Sequence, residues 1–407
     1  MTATAFDPRD PAYIRNPFPT LARLREADPV LWSPNIGGWV VTRYDDCKLV
    51  LTDPRFSAAR MRPFFAHLPP ERRAQVKELE WSVGLWAVFQ DQPDHTRLRR
   101  LLNRGFTSRA VERMVPRIHA IVDELLDAVA ERGEMEAVAD FAYPLPATVI
   151  MEMLGAPREG LDEIKRWSDD VALFVGGALV TREKYERAEE GTKRLSGYFR
   201  TLVRERRARP QDDMLSALIA AQDEGDMLGE EELIATCILL LFAGHETTAN
   251  LIGSGLYHLT RNPEQASRLL ARPELAEGAV EEILRYDGPT GAMVRIADRD
   301  LELRGRPIRK GERIFAMLNS ACRDPEQFDD PDRFDVAREQ NRQISFGHGI
   351  HFCLGAPLAR LEGRIALPRA LQRLRGLEVV DDAGLEWSDS LILRGIKRLP
   401  LRFRARS

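Results

Sequence analysis

Residues 231–259 have the spacing of one helix much longer than most helices of globular proteins. The centre of this helix is apolar on nearly every face, which predicts that it runs through a core rather than along a surface. Its longest apolar stretch, residues 234–244, is too short to cross a bilayer, which takes ~20 residues. A chain of 407 residues can bury a core large enough to surround such a helix. We therefore expect a large helical protein with no membrane partner.

The rest of the chain is mostly helical in pattern. Apolar residues at helical spacing predict a helix over 111–130, and Pro263 begins another predicted helix that continues to about residue 285. The sequence shows no Gly/Ser-rich or Pro-rich linker and no internal repeat. We therefore expect a single domain over residues 1–407, without a fused flavin or nicotinamide reductase domain.

The strand signals are few and grouped together. Residues 30–32 and 38–42 predict a hairpin, and residues 293–317 predict several further strands. Two late segments, 377–380 and 399–403, are expected to close the same sheet. Abundant helix with the strands on one side predicts a mainly α fold of the α+β class.

The charge balance and the cysteines exclude several classes of function. The chain has 59 Lys+Arg and 63 Asp+Glu, a net charge of −4, so nucleic acid is not an expected partner. Its four cysteines form no C-x-x-C pair, so neither a disulfide framework nor a zinc cluster is indicated. The N-terminus lacks the pattern of a signal peptide. These features predict a cytoplasmic protein.

Residues 344–362 are the most informative segment. Cys353 follows Gly347 and Gly349, precedes Gly355, and stands just before a predicted helix. Glycines let the backbone approach a large flat group, and a helix N-terminus favours a thiolate. The other three cysteines lack such surroundings and are predicted to be small buried hydrophobes; they are Cys47, Cys237 and Cys322.

The order Phe346-Gly-x-Gly-x-His351-x-Cys353-x-Gly355 resembles the haem-binding loop of the cytochrome P450 family, with every fixed position filled. The resemblance extends over nearly the whole chain, in the style of the soluble bacterial members. It implies haem b bound through the thiolate of Cys353, which favours O–O cleavage. It also implies the P450 fold, with the haem between the long central helix and the helix after Cys353.

A second motif, Ala243-Gly-His-Glu-Thr-Thr248, lies inside the long helix. Gly244 and the threonines weaken a helix, and an ordinary packing site would explain any one of them. The resemblance implies that Ala243 and Gly244 adjoin the haem and that Glu246 and Thr247 are the acid–alcohol pair beside the oxygen site. A zinc-protease H-E-x-x-H motif is rejected, because its fifth position is Asn250.

Two further sets of residues gain meaning only from the resemblance. Glu282 and Arg285 lie three residues apart on one predicted helix and could simply pair at a surface. They resemble the structural ion pair of the family, whose third member would be Arg333, and the implied role is to hold the loop of Cys353. Four residues are implied to bind the haem propionates: His95, Arg99, Arg295 and His351.

An apolar lining is expected for the substrate pocket. The segments implied are the loop over 60–90, residues 167–181, part of the long helix, 289–294 and 388–394. The residues predicted to contact substrate are Trp86, Phe174, Leu239, Thr290, Ala292, Leu391 and Ile392. Gly176 and Gly177 predict a mobile lid. Pro368 interrupts the helix after Cys353, where a kink is expected.

The implied function is that of a haem-thiolate monooxygenase. It would activate O2 with two electrons and hydroxylate or epoxidise a small apolar organic substrate, such as a secondary metabolite. The electrons would come from a separate ferredoxin and ferredoxin reductase, which dock on a basic face. That face could equally be solvated; its arginines are Arg97, Arg100, Arg104, Arg109, Arg360 and Arg364. Peroxide-driven oxidation and a non-catalytic auxiliary role are the alternatives. Glu246 and Thr247 argue against the first, and Cys353, Glu246 and Thr247 argue against the second.

Overall fold

The computed structural model describes residues 6–157, 159–175, 181–223 and 229–405. Helices dominate it, and in chain order they are α1 (Pro11–Arg15), α2 (Phe18–Ala27), α3 (Tyr44–Thr52), α4 (Met61–Ala66), α5 (Pro70–Gln75), α6 (Lys77–Gly84), α7 (Asp94–Gly105), α8 (Ser108–Arg113), α9 (Val115–Ala130), α10 (Pro144–Met153), α11 (Leu161–Val175), α12 (Arg182–Ala208), α13 (Met214–Asp223), α14 (Glu230–Arg261), α15 (Pro263–Ala271), α16 (Ala276–Asp287), α17 (Leu318–Ala321) and α18 (Ala356–Arg373).

The described residues also form ten short strands: β1 (Val30–Ser33), β2 (Gly38–Val41), β3 (Phe56–Ser57), β4 (Glu134–Glu136), β5 (Ala292–Ala297), β6 (Leu301–Leu303), β7 (Arg306–Ile308), β8 (Arg313–Met317), β9 (Glu378–Val379) and β10 (Pro400–Arg402). The largest sheet has the order β1-β2-β8-β5-β3. A second sheet has the order β4-β10-β9, and β6 and β7 form a two-stranded hairpin. The fold is mainly α with small sheets, as the sequence predicts.

The contacts within the chain divide it into two compact units, each made of separate segments. The first unit comprises Met1–Phe56, Pro116–Leu145 and Thr247–Ser407, and the second comprises Ser57–Val115 and Pro146–Glu246. The boundary falls inside α14, which contributes residues to both units. That residues 1–407 form a single domain remains a prediction from the sequence.

The first unit carries the sheets, and its described residues include two apolar clusters. One core lies between α3 and strands β5 and β8, and the other joins α1 and α2 to the face of β5 that carries Ala292 and Val294. The predicted hairpin is confirmed, because β1 and β2 pair antiparallel with Val30 opposite Val41. Strand β2 then pairs in parallel with β8, which pairs antiparallel with β5.

The second unit is helical, and close helix contacts organise it. Helix α11 packs against α12, where a Cβ added at Gly191 would lie 2.5 Å from the Trp167 carbonyl oxygen. At the start of α6, the buried Glu189 carboxylate of α12 accepts hydrogen bonds from the backbone N–H groups of Glu78 and Leu79, at 3.3 and 2.9 Å. Two N–H groups that a helix leaves unsatisfied are thereby paired.

Three sequence predictions about elements are wrong, and each has a physical reason. The segments around β9 and β10 do not join the large sheet, because β10 pairs with β9 and with the unpredicted strand β4. The predicted helix over 111–130 is two helices, since Pro116 has no N–H to continue α8 into α9. The predicted helix from Pro263 to 285 is likewise divided, by Pro273, into α15 and α16.

The long central helix is confirmed as α14, with 32 residues. In the described part of the chain it is the one helix whose length and composition would allow it to cross a membrane, and 72% of its apolar window is buried inside the protein. Burial of that window is what a core helix shows. Helix α18 runs from Ala356 to Arg373 through Pro368, so the proline does not end it.

Candidate functional site

Cys353 lies in the first unit, in a loop that its own backbone closes. The Cys353 N–H donates to the Phe346 carbonyl oxygen at 2.9 Å, and α18 begins three residues after the cysteine. Gly347 and Gly349 have φ angles of 76° and 73°, which side chains other than glycine rarely adopt. The loop conformation therefore requires the glycines that the sequence places there.

The four cysteines differ in their access to solvent. Cys353 is partly exposed, whereas the other three are fully buried. Burial raises the pKa of the Cys237 thiol to about 12, and burial likewise raises the pKa values of Cys47 and Cys322. The three buried cysteines are small core residues, as predicted, and Cys353 is the cysteine whose thiolate a ligand can reach.

A buried ion-pair cluster holds the segment that leads to this loop. Arg285 is fully buried and donates two hydrogen bonds to the Glu282 carboxylate, at 2.7 and 2.8 Å. Arg338 donates to the same carboxylate at 3.1 Å, and the Asn341 amide donates to it at 3.3 Å. The pair between Glu282 and Arg285 is therefore present, with partners in the chain just before Cys353.

The prediction that Arg333 is the third member of this cluster is wrong. The Arg333 side chain is 62% exposed and lies 3.5 Å from Asp335. Only its backbone carbonyl takes part, as the acceptor of a 3.0 Å hydrogen bond from Arg285. Arg338, rather than Arg333, pairs with Glu282 because residues 329–338 turn back toward α16. The Arg338 guanidinium also donates to the Asp329 carbonyl within this turn. The sequence motif offers no signal for that turn.

Two of the predicted propionate partners lie in the first unit. Arg295 is buried on β5, and its Nη1 donates to the Val294 carbonyl at 3.0 Å. Its neighbour Met293 packs against Gly347, so β5 lies beside the cysteine loop. His351 is partly exposed and ends a short 3-10 turn of that loop. Arg295 on β5 and His351 in the loop therefore come from adjacent parts of the first unit.

The other two predicted partners lie in the second unit, on α7. His95 is buried, and Arg99 follows it by one helical turn and is partly exposed. Arg97, between them, pairs with Glu232 in the same unit. Helix α7 confirms that His95 and Arg99 lie one turn apart on the same face. Because Arg97 pairs with Glu232, it is not available for the predicted basic docking face.

The central motif of α14 alternates between buried and accessible positions. Ala243 is exposed although the helix before it is buried, and Glu246 and Thr247 are partly exposed. A Cβ at Gly244 would lie 2.8 Å from Cγ1 of Ile150, so close packing against α10 accounts for this glycine. Contact of Gly244 with a cofactor stays a prediction. Accessible acid and alcohol side chains can exchange protons with water.

His245 is buried and neutral at pH 7. Burial lowers the pKa of its imidazole to about 4, and its Nδ1 lies 2.6 Å from the Leu241 carbonyl oxygen, to which it donates in the neutral form. The side-chain ligand atoms of Asp169, His245 and Glu246 lie within 4.8 Å of one another. Lys165 is close enough to oppose positive charge on the imidazole, so the same lysine disfavours a metal cation there.

In the second unit, the aromatic residues predicted to contact substrate are buried and pack against other aromatic rings. Trp86 stacks on Phe89 and on Phe242, with ring centroids 6.0 and 5.7 Å apart. Phe174 stacks on Phe65 at 5.6 Å. The segment over 60–90, predicted as a loop, contains α4, α5 and α6. The predicted lid at Gly176 and Gly177 lies outside the described residues.

The predicted substrate residues of the first unit come from two segments that pair with each other. The N–H of Gly291 donates to the Ile392 carbonyl at 2.8 Å, and Thr290 forms an antiparallel bridge with Leu393. Ala292 and Leu391 are part of one apolar core cluster, and Ile392 packs against it. Substrate contact by these residues stays a prediction, as it does for Leu239 on α14.

Comparison with known proteins agrees with this architecture. The sequence model of the cytochrome P450 family matches residues 38–393. Cytochrome P450 monooxygenase PikC of Streptomyces venezuelae is 40% identical and covers 96% of this chain and 92% of PikC. The mycinamicin IV hydroxylase/epoxidase of Micromonospora griseorubida is 41% identical and covers 93% of each chain.

A solved structure gives the same answer for the fold. P450BioI, crystallised in complex with an acyl carrier protein ligated to hexadec-9Z-enoic acid, has a TM-score of 0.90 at 36% identity, covering 97% of this chain and all of that chain. Fold and relatives together define a haem-thiolate oxidoreductase that acts with O2 on organic substrates. The chain belongs to the cytochrome P450 family, and it is a P450 monooxygenase.

Proposed function

We propose that this protein binds haem b through the thiolate of Cys353 and uses O2 and two externally supplied electrons to hydroxylate or epoxidise a small apolar organic molecule of secondary metabolism. The observation that carries the proposal is that Cys353 is the accessible cysteine, in a glycine loop three residues before α18. We further infer a soluble, cytoplasmic protein.

The residues fit a haem by the chemistry of their donors. Cys353 offers a thiolate, and an added Cβ at Gly355 would meet nothing within 4 Å, which leaves room for a flat group beside the loop. We propose that His95, Arg99, Arg295 and His351 are the partners of the two propionate carboxylates of the haem. A thiolate-ligated haem supplies electron density to its iron and favours O–O cleavage.

The chemistry assigned to α14 is proton delivery. The Glu246 carboxylate is partly exposed and can take a proton from water and pass it inward. The Thr247 hydroxyl, next in the helix, would serve as a hydrogen-bond donor in the pocket and hold a water molecule in place. An apolar pocket cannot supply protons by itself, so a relay of this type is required.

The substrate is proposed to be apolar because the predicted lining is. Trp86, Phe174 and Leu239 are buried among apolar and aromatic side chains, as are Ala292 and Leu391. Substrate entry in a P450 changes the Soret band, so a screen read by that shift identifies ligands directly. Mycinamicin IV and free hexadec-9Z-enoic acid are suitable first probes, given the relatives.

We propose a separate ferredoxin, reduced by a ferredoxin reductase, as the electron donor. Ile350 and Phe352 are exposed apolar residues of the cysteine loop, and Arg364 is exposed on α18. Arg360 pairs instead with Glu281 at 2.6 Å and stacks on Phe346, so it is not part of a free docking face. Arg364 offers a positive charge to an acidic partner, and Ile350 and Phe352 offer apolar contact area.

Charge reversal tests this partner. Arg364→Glu is expected to slow reduction by ferredoxin and to flatten its dependence on salt, because steering between opposite charges is screened by ions. The matched control is Arg402→Glu, which reverses an exposed arginine on β10. Equal reduction rates for the wild type and Arg364→Glu at low salt would place the docking surface elsewhere.

The test of the central proposal is the ferrous carbon-monoxide spectrum. Wild-type protein is expected to show the red-shifted Soret band of a thiolate ligand. Cys353→His is expected to retain part of the haem and lose that band. Cys322→Ala is the control, since this cysteine is fully buried. An unchanged spectrum in Cys353→His would overturn the assignment.

A further inference from the structure

A buried ion pair in the first unit, between Asp287 and Arg394, has no role in the chemistry described so far, although Arg394 ends the predicted lining segment 388–394. Nε of Arg394 lies 3.1 Å from one carboxylate oxygen of Asp287, and Nε2 of His258 lies 3.1 Å from the other. Asp287 is 3% exposed and Arg394 is 8% exposed. Burial raises the pKa of Asp287, but the Arg394 charge and the His258 hydrogen bond outweigh burial and hold the pKa below its usual range. The carboxylate is therefore charged at neutral pH.

Arg394 uses its remaining donors on the N-terminal part of the chain. Its Nη1 and Nη2 donate to the carbonyl oxygens of Ile14 and Arg15, at 2.6 and 3.0 Å, at the end of α1. The guanidinium also lies 3.7 Å above the Trp387 ring. An arginine with this many partners has one orientation, and it fixes the backbone on both sides of it.

This cluster stands at one end of each of the two segments predicted to contact substrate. Asp287 is the last residue of α16, just before residues 288–292, and Arg394 directly follows 391–393. The Arg394 N–H donates to the Pro289 carbonyl at 2.8 Å. His258 comes from α14, the helix of Glu246 and Thr247.

The same helix approaches the second segment at another point. A Cβ added at Gly395 would lie 2.0 Å from the Asn250 side-chain oxygen, so the backbone after Arg394 lies directly against α14. Contacts of Asn250, His258, Asp287 and Arg394 thus join three parts of the predicted pocket lining, namely α14 and the two segments.

We propose that Asp287, Arg394 and His258 are positioning residues that set the register of residues 289–292 against 391–393 and thereby the shape of the pocket for bulky ligands. The inference rests on the proposed function, since it assumes that these segments face a ligand at the haem. The cluster acts through the backbone that it holds and does not touch substrate.

Two haem ligands of different size test the proposal. Imidazole needs only the iron, whereas 4-phenylimidazole also needs the pocket, and both are followed by the Soret shift of the holoenzyme. Arg394→Gln is expected to raise the Kd for 4-phenylimidazole at least tenfold and to change the Kd for imidazole less than twofold. Arg206→Gln is the matched control, because it breaks another buried pair, with Asp213 at 2.6 Å, and should leave both Kd values unchanged.

A neutral pair guards against misfolding of the single variant. Asp287→Asn combined with Arg394→Gln leaves no unpaired charge and should show the same selective loss of 4-phenylimidazole. His258→Gln, which can still donate to Asp287, should bind both ligands as the wild type does.

Three results would be decisive against the proposal or its basis. Wild-type affinity for 4-phenylimidazole in both Arg394 variants would overturn it. Loss of haem from both variants, with haem retained in Arg206→Gln, would assign the cluster to stability alone and also overturn it. Failure of imidazole to shift the Soret band of the wild type would instead show that the proposed haem site is wrong.

Discussion

Arg338 shows how a residue can be essential to a motif without being part of its sequence pattern. It shares the Glu282 carboxylate with Arg285, and the predicted partner Arg333 does not. The pair at positions 282 and 285 could be predicted because both residues lie on one helix. Arg338 could not, since its place depends on an irregular segment that turns back on α16. The cluster of His258, Asp287 and Arg394 could not be predicted either, because its members come from three distant parts of the chain.

Replacement of the two arginines separates these assignments. Arg338→Ala is expected to lower the free energy of unfolding by ~3 kcal/mol, because it leaves the buried Glu282 charge with one cation fewer. Arg333→Ala should change the free energy by less than ~0.5 kcal/mol, since its side chain is exposed. Urea unfolding of both variants measures the difference. Equal losses would restore Arg333 to the cluster.

The proposed delivery of protons by Glu246 and Thr247 predicts two different defects. Thr247→Ala should bind haem and substrate and still consume reductant, but with less product and more hydrogen peroxide per electron. Glu246→Gln should slow turnover by about 10²-fold, the lower end of what a positioned acid contributes. Product, peroxide and reductant are counted in one assay with an accepted substrate.

The control and the contrary outcome are both available on the same helix. Thr248→Ala changes the buried neighbouring threonine and should remain coupled. If Thr247→Ala is as tightly coupled as the wild type, the substrate carries the relay or the assignment of Thr247 is wrong.

Among whole elements, α14 could be predicted because its apolar pattern is long and continuous. The breaks between α8 and α9 and between α15 and α16 follow from Pro116 and Pro273, which a pattern of apolar spacing does not register. Strand β4 has three residues, too few for a periodic signal, and it exists because β10 offers it an edge. Pairing over such distances along the chain is invisible to local pattern.

The packing of α14 gives a prediction at this scale. Gly244→Ala is expected to reduce stability by ~1–3 kcal/mol, because the new Cβ would lie 2.8 Å from Ile150. Gly253→Ala, on the same helix, meets nothing nearer than 4.0 Å and should raise stability by up to ~1 kcal/mol. Denaturant titrations of both variants, and of Gly244→Ala with Ile150→Ala, measure the effect and its coupling. A stabilising Gly244→Ala would show that α10 yields at this contact.

The stability of the whole molecule should depend on the buried carboxyl of Glu362 on α18. This side chain is 1% exposed, and neither oxygen has a hydrogen-bond partner among the described residues. Burial raises the pKa of Glu362 well above its usual value of 4.5. As pH rises, the unfolded chain loses the Glu362 proton at a lower pH than the native protein does. The contribution of this group to the free energy of unfolding is therefore greatest below pH 4.5 and falls as pH rises toward the folded pKa.

Glu362→Gln removes that dependence. Relative to wild type, the variant should gain stability as pH rises from 5 to 8, by up to ~1.4 kcal/mol per pH unit. Urea unfolding at several pH values measures the difference, with Glu281→Gln, a carboxyl of α16 that pairs with Arg360, as a control. A constant difference between wild type and Glu362→Gln across this range would mean that Glu362 is ionised in the native protein.

The unequal exposure of the four cysteines has a consequence for handling the protein. Before haem is loaded, an alkylating reagent such as iodoacetamide should modify one thiol per folded chain, at Cys353, and the three buried cysteines should react only after denaturation. Mass spectrometry of the labelled peptides counts the sites, and loading with haem should protect Cys353. The thiol most open to oxidation in air is thus the one proposed to bind the haem, and apoprotein prepared without a reductant should lose its capacity for haem while its fold persists.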